Sequence, residues 1–235
     1  MEKAQSQPPR SLDKMIEEQI KRWQIDQKKK YKKPIRPVIT ISRLPGAGAK
    51  QIAELLSKDL QIDFFDEGIV EEISVSASVN KRVVESLDEQ DRSVLNDWLS
   101  ALGHDYMSSY EYLEHLTKVV GAIGTHGYAL ILGRGASFIL PQEVSLRVLI
   151  TAPREKRVNN VSKRFKVSEA AARREVMKTE SDRQAFIRKY FHTDLLDPNN
   201  YDLVINTVNF ETDTAVKIIK EAFNSRHWYN YSVPK

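Results

Sequence analysis

The sequence predicts an α/β fold, a five-stranded parallel sheet with helices on both faces. Three observations carry this. Short apolar runs at 38–41, 63–66, 128–132, 144–150 and 203–206 read as buried strands. Stretches with helical spacing separate each run from the next. Polar residues sit just past the runs (Ser42, Arg43, Asp66, Gly133, Arg134 and Arg154), where the carboxyl ends of strands collect ligands in such sheets. Together they describe an anion-binding crevice with one carboxylate, Asp66.

The totals narrow the class. The chain has 235 residues, enough for one large domain with appendages, and 41% hydrophobic residues allow a substantial core. It has no cysteine, which excludes disulfides, thiolate metal sites and cysteine nucleophiles. No apolar run approaches the roughly 20 residues a membrane-spanning helix needs. The polar start MEKAQSQPPRSLDK lacks the apolar centre of a signal peptide, so the sequence predicts a soluble, cytoplasmic protein. The net charge of +4 is unevenly spread: residues 1–36 hold 11 Lys/Arg against 5 Asp/Glu, and residues 151–190 hold 12 against 5. That distribution argues against a general nucleic-acid surface and for one concentrated anion site.

Residues 1–36 read as an extension preceding a domain over 37–235. Residues 1–10 are polar with two prolines and predict disorder. Ser11 is placed to cap a helix over 12–26, with Leu12, Met15, Ile16, Ile20 and Trp23 on one face. Lys28, Lys29, Lys30, Lys32 and Lys33 follow. A packing helix with a solvated linker is one reading. A partner-docking helix, or a basic arm for RNA or an anionic membrane, is the other.

The first strand runs into Ser42-Arg43-Leu44-Pro45-Gly46-Ala47-Gly48-Ala49-Lys50-Gln51, and Ile52, Ala53, Leu55, Leu56 and Leu60 then recur at helical spacing. Strand, glycine turn and helix make a phosphate-binding layout, because glycines let the backbone approach an anion and the first helical N–H groups face it. The Walker A pattern G-x-x-x-x-G-K-[ST] is not met. Arg43 replaces its first glycine and Ala49 its lysine; Lys50 comes one residue late, about 100° around the helix. An ordinary turn between strand and helix is the other reading of this stretch.

A helix follows Asp66 over 67–76. Residues 80–127 are mostly helical, broken by a loop at 103–109, and their aromatics read as core. Charged helices follow at 154–165 and 168–189, the second capped by Ser168. They read either as a lid or as a surface pair with local bridges such as Glu175–Lys178 and Glu180–Arg183. A last helix covers 212–223. The five histidines (His104, His115, His126, His192, His227) show no metal-ligand spacing.

The runs ITISRLPGAGAKQIAELLSKDL, FFDEGIVEEIS and ALILGRGASFIL, then TAPREKRVNNVSKRF, TESDRQAFIRKYF and YDLVINT, resemble the cytidylate kinase-like branch of the nucleoside monophosphate kinases over about residues 37–224. Members of this branch often carry an Arg after the Ser that follows the first strand, and a small residue in place of the Walker lysine. Ser42-Arg43 and Ala49-Lys50 fit that variant and depart from authentic cytidylate kinases, which keep the lysine.

The resemblance implies a P-loop nucleoside monophosphate kinase-like three-layer fold with a helical lid over about 154–190. It implies phosphorylation of CMP or dCMP with Mg2+ and ATP. Ser42, Gly46, Ala47, Gly48, Ala49, Lys50, Gln51 and Arg157 would hold ATP. Asp66, Gly133, Arg134 and Asp182 would hold the acceptor. Arg183 and Arg188 match that family's lid pattern; Arg43, by its own position at the mouth of the loop and its permanent charge, is expected to stand in for the missing lysine and serve catalysis, helped by Lys50, Arg183 and Arg188. No protein metal site is implied, and magnesium would rest on ATP phosphates and water. Two other functions stand beside this one: a nucleotide-binding regulator that kept the fold and lost turnover, and a kinase of another small phosphorylated acceptor.

Overall fold

The computed structural model describes residues 12–27, 36–102 and 111–228. The lysine run 28–33, the disorder expected at 1–10, Ser11, and the loop expected at 103–109 lie outside the described residues. Five parallel strands form one sheet in the order β2-β3-β1-β4-β5. They are β1 (Val38–Arg43), β2 (Asp63–Phe65), β3 (Ala129–Leu132), β4 (Ser145–Thr151) and β5 (Leu203–Asn206). The strand at 128–132 starts one residue late because Tyr128 has φ 48° and ends the turn from Gly127 in a left-handed conformation.

Strand alternation divides the core in two. Ile39, Ile41, Leu130 and Leu132 face one side, against Ile52 and Leu56 of α2 (Ala49–Leu60) and Ile219 and Phe223 of the last helix, α10 (Thr212–Ser225). Val38, Ala129 and Ile131 face the other. There they meet α3 (Glu67–Val75), α4 (Ala77–Glu85), α5 (Glu89–Ala101) and α6 (Glu111–His126). A short turn of helix, α7 (Ala136–Ile139), follows β3; the helix expected over 67–76 is α3, and it ends at Ser76, where α4 begins.

Helix α1 (Leu12–Gln27) joins this second cluster. Ile16, Ile20 and Trp23 are buried, whereas Met15, on the same expected face, stays 41% exposed. Trp23 stacks on His126 with centroids 4.0 Å apart and planes 6° from parallel, and also lies against Phe65. Arg22 bridges to Asp63 at 3.1 Å. The helix therefore covers the β2 edge of the sheet.

Helices α8 (Arg154–Phe165) and α9 (Glu169–Phe191) form a hairpin with a four-residue core of its own, Val158, Val161, Ala172 and Val176. Phe186, Tyr190 and Phe191 anchor the far end of α9 on the main core. Of the local bridges expected along α9, Glu180–Arg183 gives way to long-range pairs, Glu180 with Arg157 at 2.9 Å and Arg183 with Glu67 at 3.6 Å, while Arg173 bridges locally to Glu169 at 3.0 Å.

Trp23→Ala removes a buried ring that two aromatic partners contact. It is expected to cost about 3 kcal/mol of unfolding free energy, read by urea denaturation. A loss below about 0.5 kcal/mol, the scale of a surface substitution, would show that α1 is not part of the folded core.

Candidate active site

The loop between β1 and α2 is shaped by glycine conformation and by side chains from the last third of the chain. Gly46 and Gly48 have φ of 79° and 84°, the left-handed region that glycine adopts freely. Three successive carbonyls are held from behind. Arg157 Nη1 donates to Pro45 C=O at 3.4 Å, Asn160 Nδ2 to Gly46 C=O at 2.8 Å, and Thr207 Oγ1 to Ala47 C=O at 3.0 Å. The first α2 bond runs from Ile52 N–H to Gly48 C=O, so the amides of Ala49, Lys50 and Gln51 precede it and have no acceptor within the helix. Carbonyls turned into the protein and amides left toward the opening make an anion cradle.

This cradle floors a cavity of about 900 Å³. Gly46, Ala47, Gly48, Ala49, Lys50 and Gln51 form one side, and Asn160, Lys163, Arg164 and Phe165 of α8 the other. The Arg164 guanidinium lies over the Phe165 ring at 5.4 Å, and that ring is 62% exposed. Asp66 lies on the wall of this cavity and not in the pocket around Arg134, where the sequence reading put it. It caps α3, accepting from Gly68 and Ile69 N–H at 3.0 and 3.1 Å, and receives Lys50 Nζ at 2.8 Å. Burial works to raise the Asp66 pKa, but the Lys50 ammonium and the two amides outweigh it and hold the carboxyl below its ordinary range.

A second cavity of about 340 Å³ opens beside the first. Ser42, Arg43, Gly133, Arg134, Asp182 and Arg183 line it, six residues expected from the sequence at one site or the other. Its inner wall is apolar, from Phe186, Ile187 and Leu195. The carboxylate at its centre is Glu67, whereas the sequence points to its neighbour Asp66. Glu67 pairs with Arg43 and Arg183, and its carbonyl accepts from Arg134 Nε at 3.4 Å. Arg134 is further held by Glu71 at 3.3 Å, and Tyr112 Oη donates to the same carboxylate at 2.7 Å.

Three guanidiniums in one place are costly unless countered. Burial lowers the Arg43 pKa despite its pairing with Glu67. Burial, then the charge of Arg43, brings Arg183 down to about 10, so it remains charged at neutral pH. Burial pushes the Glu67 pKa up, but Arg43, Arg183 and Arg134 outweigh burial and keep it ionised. Gly133, at φ 85°, makes the geometry possible: a Cβ there would overlap the Arg43 guanidinium. Arg183 Nη1 also donates to Arg43 C=O at 3.3 Å, drawing α9 onto the end of β1.

Three arginines expected at or near the site lie elsewhere. Arg157 is buried beneath the loop, donating to Ala152 and Pro45 carbonyls and pairing with Glu180, and lines neither cavity. Arg188 turns to Asp194 at 2.9 Å, also outside both cavities. Arg154 is exposed and lines neither. Among the described residues no group of three His, Asp or Glu side chains is placed to hold a metal ion, and no helix is long and apolar enough to cross a membrane.

The family model of the cytidylate kinase-like family matches residues 38–209, which span the sheet, both cavities and the α8–α9 hairpin. The chain belongs to the cytidylate kinase-like family. A cytidylate kinase from Sulfurisphaera tokodaii is 24% identical over 188 residues, covering 80% of this chain and 95% of that protein. One from Methanobrevibacter smithii is 27% identical over 183 residues, covering 77% and 95%. A crystal structure of an uncharacterized protein from Eubacterium ventriosum superposes with a TM-score of 0.58 at 19% identity, covering 81% of this chain and all of that one, a likeness of fold. Membership places the chain among the nucleotide kinases, with a P-loop kinase-like α/β fold.

The two loop glycines separate structure from binding. A Cβ on Gly46 would lie 2.5 Å from the Arg157 carbonyl oxygen, whereas a Cβ on Gly48 would meet no protein atom and project into open space. Gly46→Ala is expected to destabilise the fold by ~2–3 kcal/mol from clash and left-handed strain. Gly48→Ala should cost about 1 kcal/mol of strain while losing most of its stabilisation by Mg2+ and ATP. Thermal melting with and without nucleotide reads both; equal nucleotide response in Gly48→Ala and the unaltered chain would remove the loop as the phosphate site.

Proposed function

We propose that the chain transfers the γ-phosphoryl group of ATP to a nucleoside monophosphate, with CMP or dCMP as the acceptor. The observation that carries this reading is the boundary between the two cavities: Arg43, Glu67, Thr179 and Arg183 line both. A triphosphate on the loop amides and a monophosphate on Arg134 would bring their phosphates together at Arg43 and Arg183. An oxygen of the acceptor phosphate, already deprotonated at neutral pH, attacks the γ-phosphorus. The bond to the bridging β,γ-oxygen breaks, and that oxygen leaves with ADP. Such transfer needs alignment and charge neutralisation more than a base, and guanidiniums supply both in bidentate form.

Arg43 takes the place of the Walker lysine in this scheme. Ala49 carries no charge, and the Lys50 ammonium is committed to Asp66. Arg43 ends β1 at the mouth of the loop, with a guanidinium that stays charged. Asp182 and the apolar wall of Phe186, Ile187 and Leu195 line the smaller cavity and would face the acceptor's sugar and base. Magnesium would enter with ATP on phosphate oxygens and water, neutralising the phosphate charge. Asp66 and Glu67, two carboxylates on the wall of the larger cavity, are both engaged with cations. Helix α9 covers the junction and would keep water from competing with the acceptor.

A regulator of the same fold without turnover is the second reading, favoured by Ala49 and by the Lys50–Asp66 pair. Release of ADP from ATP with CMP, dCMP, UMP and AMP separates the two, and acceptance of some other small phosphorylated compound alone would mark a kinase of different specificity. Turnover should be highest with CMP or dCMP. It should vanish in Arg43→Ala while the protein stays folded, and recover in part in Arg43→Ala with Ala49→Lys. Absence of ADP release with every acceptor, in a protein that binds ATP, would leave the regulator.

Arg134 lines the smaller cavity alone. Arg134→Ala should weaken monophosphate binding by roughly 1.5–3 kcal/mol, the scale of a hydrogen bond to a charged group, with ATP binding nearly unchanged in calorimetry. Loss of ATP binding instead would reverse the assignment of the two cavities.

A further inference from the structure

The cations at the junction already hold an anion of the chain's own. Asp66 caps α3, and the next residue, Glu67, is thereby carried to the end of β1, where its carboxylate meets both Arg43 and Arg183. The three side chains differ in freedom. Arg43 is 10% exposed and packed over Gly133, where no Cβ intervenes. Arg183 is 25% exposed and donates to the Arg43 carbonyl. Glu67 is 49% exposed and has only its own flexible chain to move. The guanidiniums are fixed; the carboxylate is the partner able to leave.

Glu67 lines both cavities, so an anion entering either one meets the same carboxylate on the same guanidiniums. We propose that Glu67 is a built-in competitor for phosphate that links the two cavities: the first anionic ligand must displace it, and the second finds it already displaced. The cost of breaking the Glu67 pairs is then borne once and shared, which is a coupling free energy between the sites. Glu67 would in this way set how strongly each ligand favours the other, while Arg43 and Arg183 provide the contacts themselves. The assignment of the ligands as ATP and a nucleoside monophosphate rests on the function proposed above; the competition between Glu67 and phosphate does not.

Two arms of one calorimetric experiment test this. The first uses pyrophosphate, which needs no nucleotide site. Glu67→Gln should bind it about tenfold tighter than the unaltered chain, within the usual range of coupling effects. Glu54→Gln makes the same charge change on the wall of the larger cavity. Without a contact to Arg43 or Arg183, it should shift the affinity less than about threefold. Glu67→Ala repeats the measurement without an amide to substitute for the carboxylate, and melting of each variant without ligand confirms that it is folded. Equal pyrophosphate binding in Glu67→Gln, Glu67→Ala and the unaltered chain, or an equal gain in Glu54→Gln, would overturn the proposal.

The second arm measures a non-hydrolysable ATP analogue with and without saturating CMP. The factor by which CMP tightens the analogue should be about tenfold larger in the unaltered chain than in Glu67→Gln. An unchanged factor would overturn the coupling. If pyrophosphate discriminates as expected but neither nucleotide binds, the kinase reading falls and the competition by Glu67 stands.

Discussion

The Arg43–Glu67 ion pair is the contact around which the functional end of the sheet is arranged. A nearly buried guanidinium needs a counter-charge, since an unpaired one carries a desolvation cost of several kcal/mol. Each neighbour serves that pairing. Gly133 lacks the Cβ that would overlap the guanidinium, and the Asp66 cap starts α3 so that Glu67 comes next. Arg183 bonds the Arg43 carbonyl and shares the carboxylate, which ties α9 to β1. The pair thus joins strand, loop, cap and hairpin at the point where the two cavities meet.

The loop is built from the other direction. Its carbonyls at 45, 46 and 47 are taken by Arg157, Asn160 and Thr207, which lie on α8 and just past β5. Arg157 also pairs with Glu180 on α9. The loop and the hairpin therefore share one buried cation, so movement of the hairpin and the shape of the loop are linked through Arg157. Buried Ser137 completes the rear of the site, donating to Thr40 Oγ1 at 3.0 Å and lying 3.2 Å from Ser42 Oγ.

Much of this was legible in the sequence. The strands and long helices are set by local periodicity, and observed ends fall close to the expected ones, as at 154–165 and 203–206. Ser42, Arg43, Gly133 and Arg134 were legible as a cluster because each lies at or just past the carboxyl end of a strand, and strand ends converge in a parallel sheet. The sequence does not distinguish Asp66 from Glu67, because they are adjacent acids. Which of them turns to Arg43 is decided by capping: Asp66 spends its oxygens on helix amides and Lys50. Helix period alone could not assign Arg157, Arg183 and Arg188, which lie on helices whose tilt is fixed by Val158, Ala172 and Phe186. Asn160 and Thr207 gave no signal, since their partners are backbone carbonyls more than a hundred residues away.

If two anion sites meet at Arg43 and Arg183, one compound can fill both. The most direct measurement is the binding of adenosine and cytidine joined 5′ to 5′ through five phosphates, compared by calorimetry with ATP and CMP separately. One equivalent is expected to bind, far more tightly than either nucleotide, and the joined compound should displace both nucleotides. Two equivalents bound, or an affinity no better than that of ATP with CMP still able to bind, would place the two sites apart and contradict their meeting there.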